Sequence, residues 1–467
     1  MMVQKILKKL NVHLVFCYSY FLLFILTNFA IYNDYDGNYF IYSFYSISIN
    51  LLFFISLFRG PLLSIFFFLT WLGFWFKVSL PHLLNYFFFA NIKSPNLREA
   101  VQYFDIFIDN KVIEKIMIDF SIIFLFLSIV LFFFKNQKNY LNFNKIYYFR
   151  INQYLLFLCI LIFVVFNYSL GIYHKGFYDQ FFTNKLFSLA FKFLYYFLPN
   201  YFLFELLNHK KDNSISYRNF FSTIICINFF LYTFMLSREY IFFSFILFAY
   251  IFFDKKMKLD LFFLSKIILI FLTLATLNLK ITKDLRLCKL NNYEEKPNYS
   301  INFLCFKNMV NSFMNIDSAK EKLSIQNDKK NINASNVFAD FFGIAASRWV
   351  GFESVYMKKI NYDYKNLKIE QKKFSNQNFI PGIFYLLYNE NIYIFLSYSV
   401  FFCLLLILIN RILLNYFLNY YQYIFLSYIL SYRIFHSGVN DKNTILFIII
   451  LISIIVIINH WLFKVKS

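Results

Sequence analysis

The sequence predicts an all-α, polytopic integral membrane protein with about twelve transmembrane helices and one long periplasmic loop. Three observations predict this fold class. Apolar runs of about 17 to 25 residues, each long enough to cross a bilayer as a helix, recur along the whole chain. Hydrophobic residues make up 60% of the 467 residues and only nine are Gly. The short basic breaks between the runs all fall on one predicted side, as cytoplasmic loops of a membrane protein do.

The net charge of +21 is consistent with this fold class and does not indicate a nucleic-acid partner. The 71 Phe and 38 Tyr, with abundant Ile, Asn and Lys, are typical of an AT-rich coding sequence. In a membrane protein, excess Lys is first a topology signal, because short cytoplasmic loops prefer Lys and Arg. We therefore expect membrane lipids as partners and no nucleic acid.

The first four predicted spans alternate in direction. They cover residues 11–32, a run ending at Phe58, residues 62–90 and residues 116–134. The N-terminal lysines and Arg59 mark the cytoplasmic side, whereas the acidic break 33–39 and the loop 91–115 lie outside. The third span is predicted to be interrupted by Lys77 and Pro81.

The remaining spans continue this alternation and place both termini in the cytoplasm. They are predicted at residues 151–170, 186–207, 220–253 (two spans, split at 237–239), 261–279, 392–409, 416–434 and 444–463. The chain thus divides into 1–279 with spans one to nine, an extracytoplasmic loop at 280–378, and 379–467 with spans ten to twelve. We expect short helices in the loop, near 301–316 and 337–358, and a location in the cytoplasmic (inner) membrane.

No metal or cofactor is predicted. The chain has no CxxC pair, no HExxH motif, no glycine-rich phosphate loop and no GxSxG elbow. Cys288 and Cys305 both lie in the predicted outside loop, where the compartment is oxidising. They form either a disulfide or two unrelated free thiols.

Chemistry is instead expected from polar groups at the outer membrane face. Arg238 and Glu239 lie at a predicted hairpin, and three further groups lie at the same depth: Arg348 with Glu353, Arg433 with His436, and Asp441. Ionisable groups are costly near a membrane, so several at one depth favour a hydrophilic cavity. The alternative is that they are interface anchors at helix ends, and that 337–358 forms a partly buried surface helix whose Arg348 and Glu353 are solvated.

These residue types suit an enzyme acting on a lipid-linked pyrophosphate sugar. Arginine binds phosphate oxygens bidentately and stabilises charge on a pyrophosphate leaving group. We predict that Arg238, Arg433 and Trp349 bind substrate, the Trp349 indole stacking on a sugar ring. A carboxylate or imidazole serves as base for the acceptor hydroxyl. The predicted catalytic residues are Arg348, Glu353 and His436.

In architecture, the chain resembles the bacterial O-antigen and oligosaccharide repeat-unit polymerases. The similarity lies in about twelve spans with cytoplasmic ends, Ser237-Arg238 at an outer hairpin and a large outer loop bearing Arg348. The resemblance implies that Arg238 and Arg348 grip lipid-pyrophosphate glycans, with no metal or nucleotide-sugar donor. It also implies other polysaccharide-assembly proteins as partners.

Two alternatives stay open. Membrane glycosyltransferases that use lipid-phosphate sugars carry an acidic pair in the first outside loop, and Asp34 and Asp36 form such a pair, although this loop is short. A glycolipid transporter or flippase also has about twelve spans, but it more often shows two similar halves, and the sequence has no internal repeat.

Overall fold

The computed structural model describes residues 12–34, 37–88, 110–134, 352–359, 382–416 and 420–437, with isolated positions between 158 and 277. All regular secondary structure in these residues is helical, which confirms the all-α class for them. In chain order the helices are α1 (Val12–Asp34), α2 (Tyr39–Ser56), α3 (Pro61–Trp71), a π-helical segment (Leu72–Phe76), α4 (Lys77–Phe88), α5 (Asn110–Phe133), α6 (Phe352–Lys359), α7 (Ile383–Leu387), α8 (Ile392–Tyr416) and α9 (Tyr420–Ser437).

The chain divides into two compact units, and the larger described part belongs to one of them. One unit comprises Met1–Phe16 and Tyr148–Ile332, and the other comprises Cys17–Tyr147 and Asn333–Ser467. In the first unit, the Phe191 ring stacks on those of Phe163 and Phe166, at centroid distances of 6.2 and 5.6 Å.

Three described helices are long and apolar enough to cross a membrane. They are Tyr39–Ser56, Asn110–Phe133 and Ile392–Leu413, and two shorter apolar helices cover Cys17–Asn33 and Pro61–Phe76. Helices long and apolar enough to span a membrane were therefore predicted correctly in these places. The predicted spans within 151–279 and at 444–463 lie outside the described residues, apart from isolated positions, and the count of about twelve stays a prediction.

Helices α2, α5 and α8 run in the same direction. At one end, the Asn38 backbone N–H donates to Glu114 Oε1 at 2.8 Å, which joins the starts of α2 and α5. At the other end, the Arg59 guanidinium donates to the carbonyl oxygens of Phe132 and Phe134 at 2.8 and 2.7 Å. The Arg411 guanidinium of α8 lies 5.6 Å from the Phe134 ring centroid at that same end.

Helix α3 turns back along α2, and hydrogen bonds between the two helices follow their common length. Trp71 Nε1 donates to Asn50 Oδ1 at 2.8 Å, and Trp75 Nε1 of the π segment donates to Ser46 Oγ at 2.7 Å. Because lipid is as apolar as a leucine side chain, helices in a bilayer associate through close packing and such polar contacts. These hydrogen bonds hold α2 and α3 in one register.

Helix α9 runs parallel to α3. Ser431 Oγ donates to the Leu62 carbonyl at 3.0 Å, and the rings of Phe435 and Phe66, each four residues further on, lie 6.2 Å apart. The described helices therefore have the relative directions that the predicted alternation of spans requires.

The structure differs from the prediction in the third span, which is not interrupted at Lys77 or Pro81. The helical path continues from Pro61 to Phe88, and its irregularity is the π-helical segment. Within the π-helical segment, the Phe74 carbonyl accepts a hydrogen bond from the Tyr45 hydroxyl at 2.8 Å. A neighbouring helix thus contributes a hydrogen bond to the irregular backbone, and lipid offers none.

Two other spans were predicted too short at one end. Helix α5 begins at Asn110 and not at 116, and α8 continues past 409 to Tyr416. Asn410 is buried, and its Oδ1 accepts a hydrogen bond from the Tyr423 hydroxyl of α9. A polar residue that we expected to end the span instead lies inside a helix and joins it to the next one.

Candidate functional site

The predicted site residues fall mostly beyond what the structure describes. Arg238, Arg348 and Trp349 lie outside the described residues. Glu353 lies on α6, and Arg433 and His436 lie on α9, where the backbone is described but these side chains are not. Helix α7 contacts both α6 and α9. The helices that carry Glu353 and the Arg433/His436 pair thus both pack against α7. That the side chains themselves converge on one site stays a prediction.

The structure adds a residue that the sequence interpretation missed, Asp119 on α5. This carboxylate is 7% exposed and is the only acid in the apolar run 116–134. It lies nine residues from Asn110, about 14 Å along the helix axis at 1.5 Å per residue. The Tyr388 hydroxyl donates to Asp119 Oδ2 at 3.3 Å. A buried carboxylate without such a partner would be very unfavourable.

The short helix α7 carries Tyr388 to this position. Phe384 is buried at the centre of an aromatic cluster and its ring contacts those of Phe66, Phe74, Phe120 and Phe124. The Tyr388 ring stacks on Phe120 with centroids 6.0 Å apart and planes 6° apart. The apolar side chains of α7 therefore anchor it among α3, the π segment and α5, and the hydroxyl of the residue that follows α7 reaches Asp119.

Lys358 of α6 holds the C-terminal end of α7. Its ammonium donates to the carbonyl oxygens of Tyr385 and Tyr388 at 2.7 and 2.6 Å and lies 5.2 Å from the Tyr385 ring centroid. Cations are favourable at a helix C-terminus, where carbonyls lack helical partners. Burial lowers the pKa of the Lys358 ammonium, whereas the two carbonyl acceptors stabilise its protonated form.

Tyr388 remains a hydrogen-bond donor toward the carboxylate. Burial raises the pKa of the Tyr388 hydroxyl, and the charge of Asp119 and the hydrogen bond to it raise this pKa further. A phenol that loses its proton only at high pH donates at neutral pH. The contact between α5 and the segment after α7 is therefore a charge-assisted hydrogen bond.

A second ionic contact lies beside the first. Lys359 Nζ is 2.6 Å from Glu390 Oε1, and the two side chains are 13% and 62% exposed. The hydrogen bond from Lys359 holds the pKa of Glu390 below its usual range, and the charge of Lys115 acts in the same sense. Lys115 and Lys359 also interact electrostatically with Asp119. We call Lys115, Asp119, Lys359 and Glu390 the ionic cluster.

One signal in the sequence could have indicated part of this site. A single acidic residue inside an apolar run is rare in a lipid-facing helix and by default marks function or a buried partner. The partners themselves could not be read from the sequence, because Tyr388 is 269 residues from Asp119. No group of His, Cys, Asp or Glu able to hold a metal ion occurs among the residues that the structure describes.

The cysteine prediction is untested, because Cys288 and Cys305 lie outside the described residues; Cys17, Cys159, Cys226 and Cys403 are free thiols. No protein-family model, curated protein or solved structure matches the chain.

Proposed function

We propose that the protein transfers or polymerises lipid-linked oligosaccharide of the undecaprenyl-pyrophosphate type at the outer face of the cytoplasmic membrane, during surface polysaccharide synthesis. One observation carries the proposal. Helix α6, from the predicted outside loop, and the segment around α7, which follows that loop, pack near the first turns of α5 and α8. The Tyr388 hydroxyl donates to the Asp119 carboxylate there, and the charges of Lys115 and Lys359 act on it. Such an arrangement forms a polar site at the edge of an apolar bundle.

The chemistry of these groups fits the transfer. A sugar leaving its lipid pyrophosphate places negative charge on phosphate oxygens, and the ammonium groups of Lys115 and Lys359 supply positive charge at this end. The predicted residues complete the proposal: Arg238, Arg433 and Trp349 bind substrate, Arg348 stabilises the leaving group, and Glu353 or His436 accepts the proton of the acceptor hydroxyl. The reaction uses no metal or cofactor.

The helix directions support the proposed sidedness. With the first end of α2 outside, α5 and α8 also begin outside and α3 and α9 begin inside, in agreement with the basic breaks. The membrane side of each end is part of the proposal, as are the lipid-linked glycan and other polysaccharide-assembly proteins as partners.

A transporter for the same glycolipids is the second candidate. It is favoured by the Asp119 carboxylate, which is buried within an apolar helix and bonded to a tyrosine hydroxyl. Carboxylates in such positions serve as proton relays in pumps and transporters. The long predicted outside loop is a feature that transport does not need.

Deletion in the native host, followed by gel analysis of surface polysaccharide, tests the proposal. Loss of long chains with retention of a single repeat supports a polymerase, and loss of every surface form favours the transporter. An unchanged profile would refute both. Complementation with Arg348→Ala at normal protein abundance should fail, whereas Arg348→Lys should restore chains only partly, because lysine lacks the planar fork of arginine. Full activity of the Ala variant would make Arg348 an interface anchor.

A further inference from the structure

In the Lys359–Glu390 ion pair, the lysine side chain is 13% exposed and the glutamate side chain is 62% exposed. Lys359 follows Lys358, whose ammonium is fixed by two carbonyl groups at the end of α7. Glu390 lies in the short connection before α8. An ion pair with one solvated partner contributes little to stability. The Glu390 carboxylate is therefore readily exchanged for another anion, while Lys359 stays in place.

Departure of the Glu390 carboxylate would leave the ionic cluster positively charged. Lys115 lies one helical turn before Asp119 on α5, and the charges of Lys115 and Lys359 both act on the Asp119 carboxylate. The Asp119 carboxylate is also engaged by the Tyr388 hydroxyl, which directs a donor toward it. One incoming anion can therefore take the place of the Glu390 carboxylate and keep the ionic cluster neutral.

The position of the cluster favours an anion carried by a lipid. Exposed aromatic side chains lie at this end of the bundle, as they do at the opposite end: Tyr393 at the start of α8 is 77% exposed, and Phe133 at the end of α5 is 76% exposed. Tyrosine is enriched at the level of lipid headgroups. Phosphate groups of membrane lipids lie at that depth.

We propose that Lys115 and Lys359 bind the phosphate of a lipid headgroup, and that the Glu390 carboxylate occupies Lys359 until the phosphate displaces it. A lipid phosphomonoester or pyrophosphate offers more negative charge and more acceptor oxygens than one carboxylate. The identification of that lipid as a polyprenyl pyrophosphate rests on the proposed function. Glu390 acts as a competitor that keeps the unliganded site neutral.

Binding to the purified full-length protein in phosphatidylcholine nanodiscs tests this inference. The probe is farnesyl pyrophosphate, titrated by calorimetry, with phosphatidylglycerol in the nanodisc and inorganic pyrophosphate as separate arms. We expect Lys359→Gln and Lys115→Gln to weaken binding about tenfold and Glu390→Gln to tighten it severalfold, as expected for charge-assisted contacts. Lys266→Gln, at an exposed lysine of the other unit, is the matched control and should bind as the wild type does.

The opposite signs expected for Lys359→Gln and Glu390→Gln separate binding from misfolding, because a folding defect cannot tighten binding. Unchanged affinity in both lysine variants would overturn the site. Equal binding of inorganic pyrophosphate would overturn its assignment to a lipid, whereas competition by phosphatidylglycerol would support a lipid phosphate site and make an ordinary phospholipid its ligand. If the purified protein binds farnesyl pyrophosphate but deletion in the host leaves the glycan profile unchanged, only the proposed function is refuted. If deletion removes the long glycan chains but the purified protein does not bind the probe, only the lysine site is refuted.

Discussion

At the scale of single residues, Asn50 connects three helices. Its Oδ1 accepts hydrogen bonds from Trp71 Nε1 and from the Tyr20 hydroxyl, and its Nδ2 donates to the Ser46 carbonyl at 2.6 Å. A buried donor that loses its acceptor destabilises the folded state by its full desolvation penalty. The Asn50 amide therefore stabilises the protein mainly through the two donors that it accepts from.

We predict that Asn50→Ala lowers the free energy of unfolding by about 1–3 kcal/mol, because it leaves the Trp71 indole and the Tyr20 hydroxyl without this acceptor. Unfolding in detergent, followed by tryptophan fluorescence, measures the change. Asn28→Ala is the control, since the described hydrogen bond of that amide goes to the Phe24 carbonyl of its own helix. Equal losses in both variants would contradict the role given to Asn50.

Tyr388 offers a second test at this scale. We predict that Tyr388→Phe keeps the stacking on Phe120 but loosens the segment after α7, because the Asp119 carboxylate loses a donor. Amide hydrogen exchange at Leu386 and Tyr388, whose N–H groups bond to the carbonyls of Gly382 and Phe384, should speed up about tenfold. Asp119→Asn retains an acceptor oxygen and should change exchange much less. Unaltered exchange in Tyr388→Phe would show that the aromatic packing alone holds α7.

At the scale of elements, the turn between α2 and α3 depends on Gly60. This residue has φ 108° and ψ 160°, a region that is essentially restricted to glycine. Pro61 follows at the first position of α3, where its missing N–H has no helical partner in any case. The pair reverses the chain within a few residues and starts the second helix in register with the first.

Gly60→Ala should therefore destabilise the protein by about 1–3 kcal/mol, the cost of a side chain in this backbone region. The thermal midpoint in detergent measures it. Gly37→Ala provides the comparison, because Gly60 is the only glycine with positive φ among the described residues. A Gly60 variant as stable as the Gly37 variant would mean that the turn relaxes to another conformation.

At the scale of the whole molecule, the parallel course of α2, α5 and α8 gives the bundle two chemically different ends. One end holds the ionic cluster, and the other holds Arg59 and Arg411 around the last turn of α5. Basic residues without acids are typical of the cytoplasmic end of a span. The proposed function therefore places the ionic cluster on the outer side of the membrane.

This orientation predicts the outcome of labelling in intact cells. A cysteine placed at exposed Asn110 should react with a membrane-impermeant maleimide, whereas one at exposed Arg411 should react only after the cells are opened. A cysteine-free parent corrects for the native thiols. Reporters fused after Lys258 and inserted near Asn331 should read cytoplasmic and periplasmic, respectively. The reverse pattern at these sites would place the ionic cluster inside and remove the proposed substrate.

The sequence by itself determined the all-helical class of the described residues, the presence of helices apolar enough to span a membrane, and the approximate course of α1, α2, α5, α8 and α9. Apolar length and the need of every backbone group in lipid for an internal hydrogen bond are local constraints, and a local pattern expresses them. The alternation of basic breaks predicted the relative helix directions for the same reason. Boundaries failed where a polar residue had a distant partner, as Asn410 does in Tyr423.

Only the tertiary structure decided which polar groups meet. Asp119 is an isolated acid in the sequence, and its hydrogen bond to Tyr388 exists because aromatic packing places α7 against α5. The same packing sets Lys358 on the end of α7 and Lys359 beside Glu390. A contact between segments hundreds of residues apart depends on how helix faces fit together, and helix periodicity carries no information about that fit. The residue types at this end of the bundle can be read from the sequence, whereas the contacts between them are set by the tertiary structure.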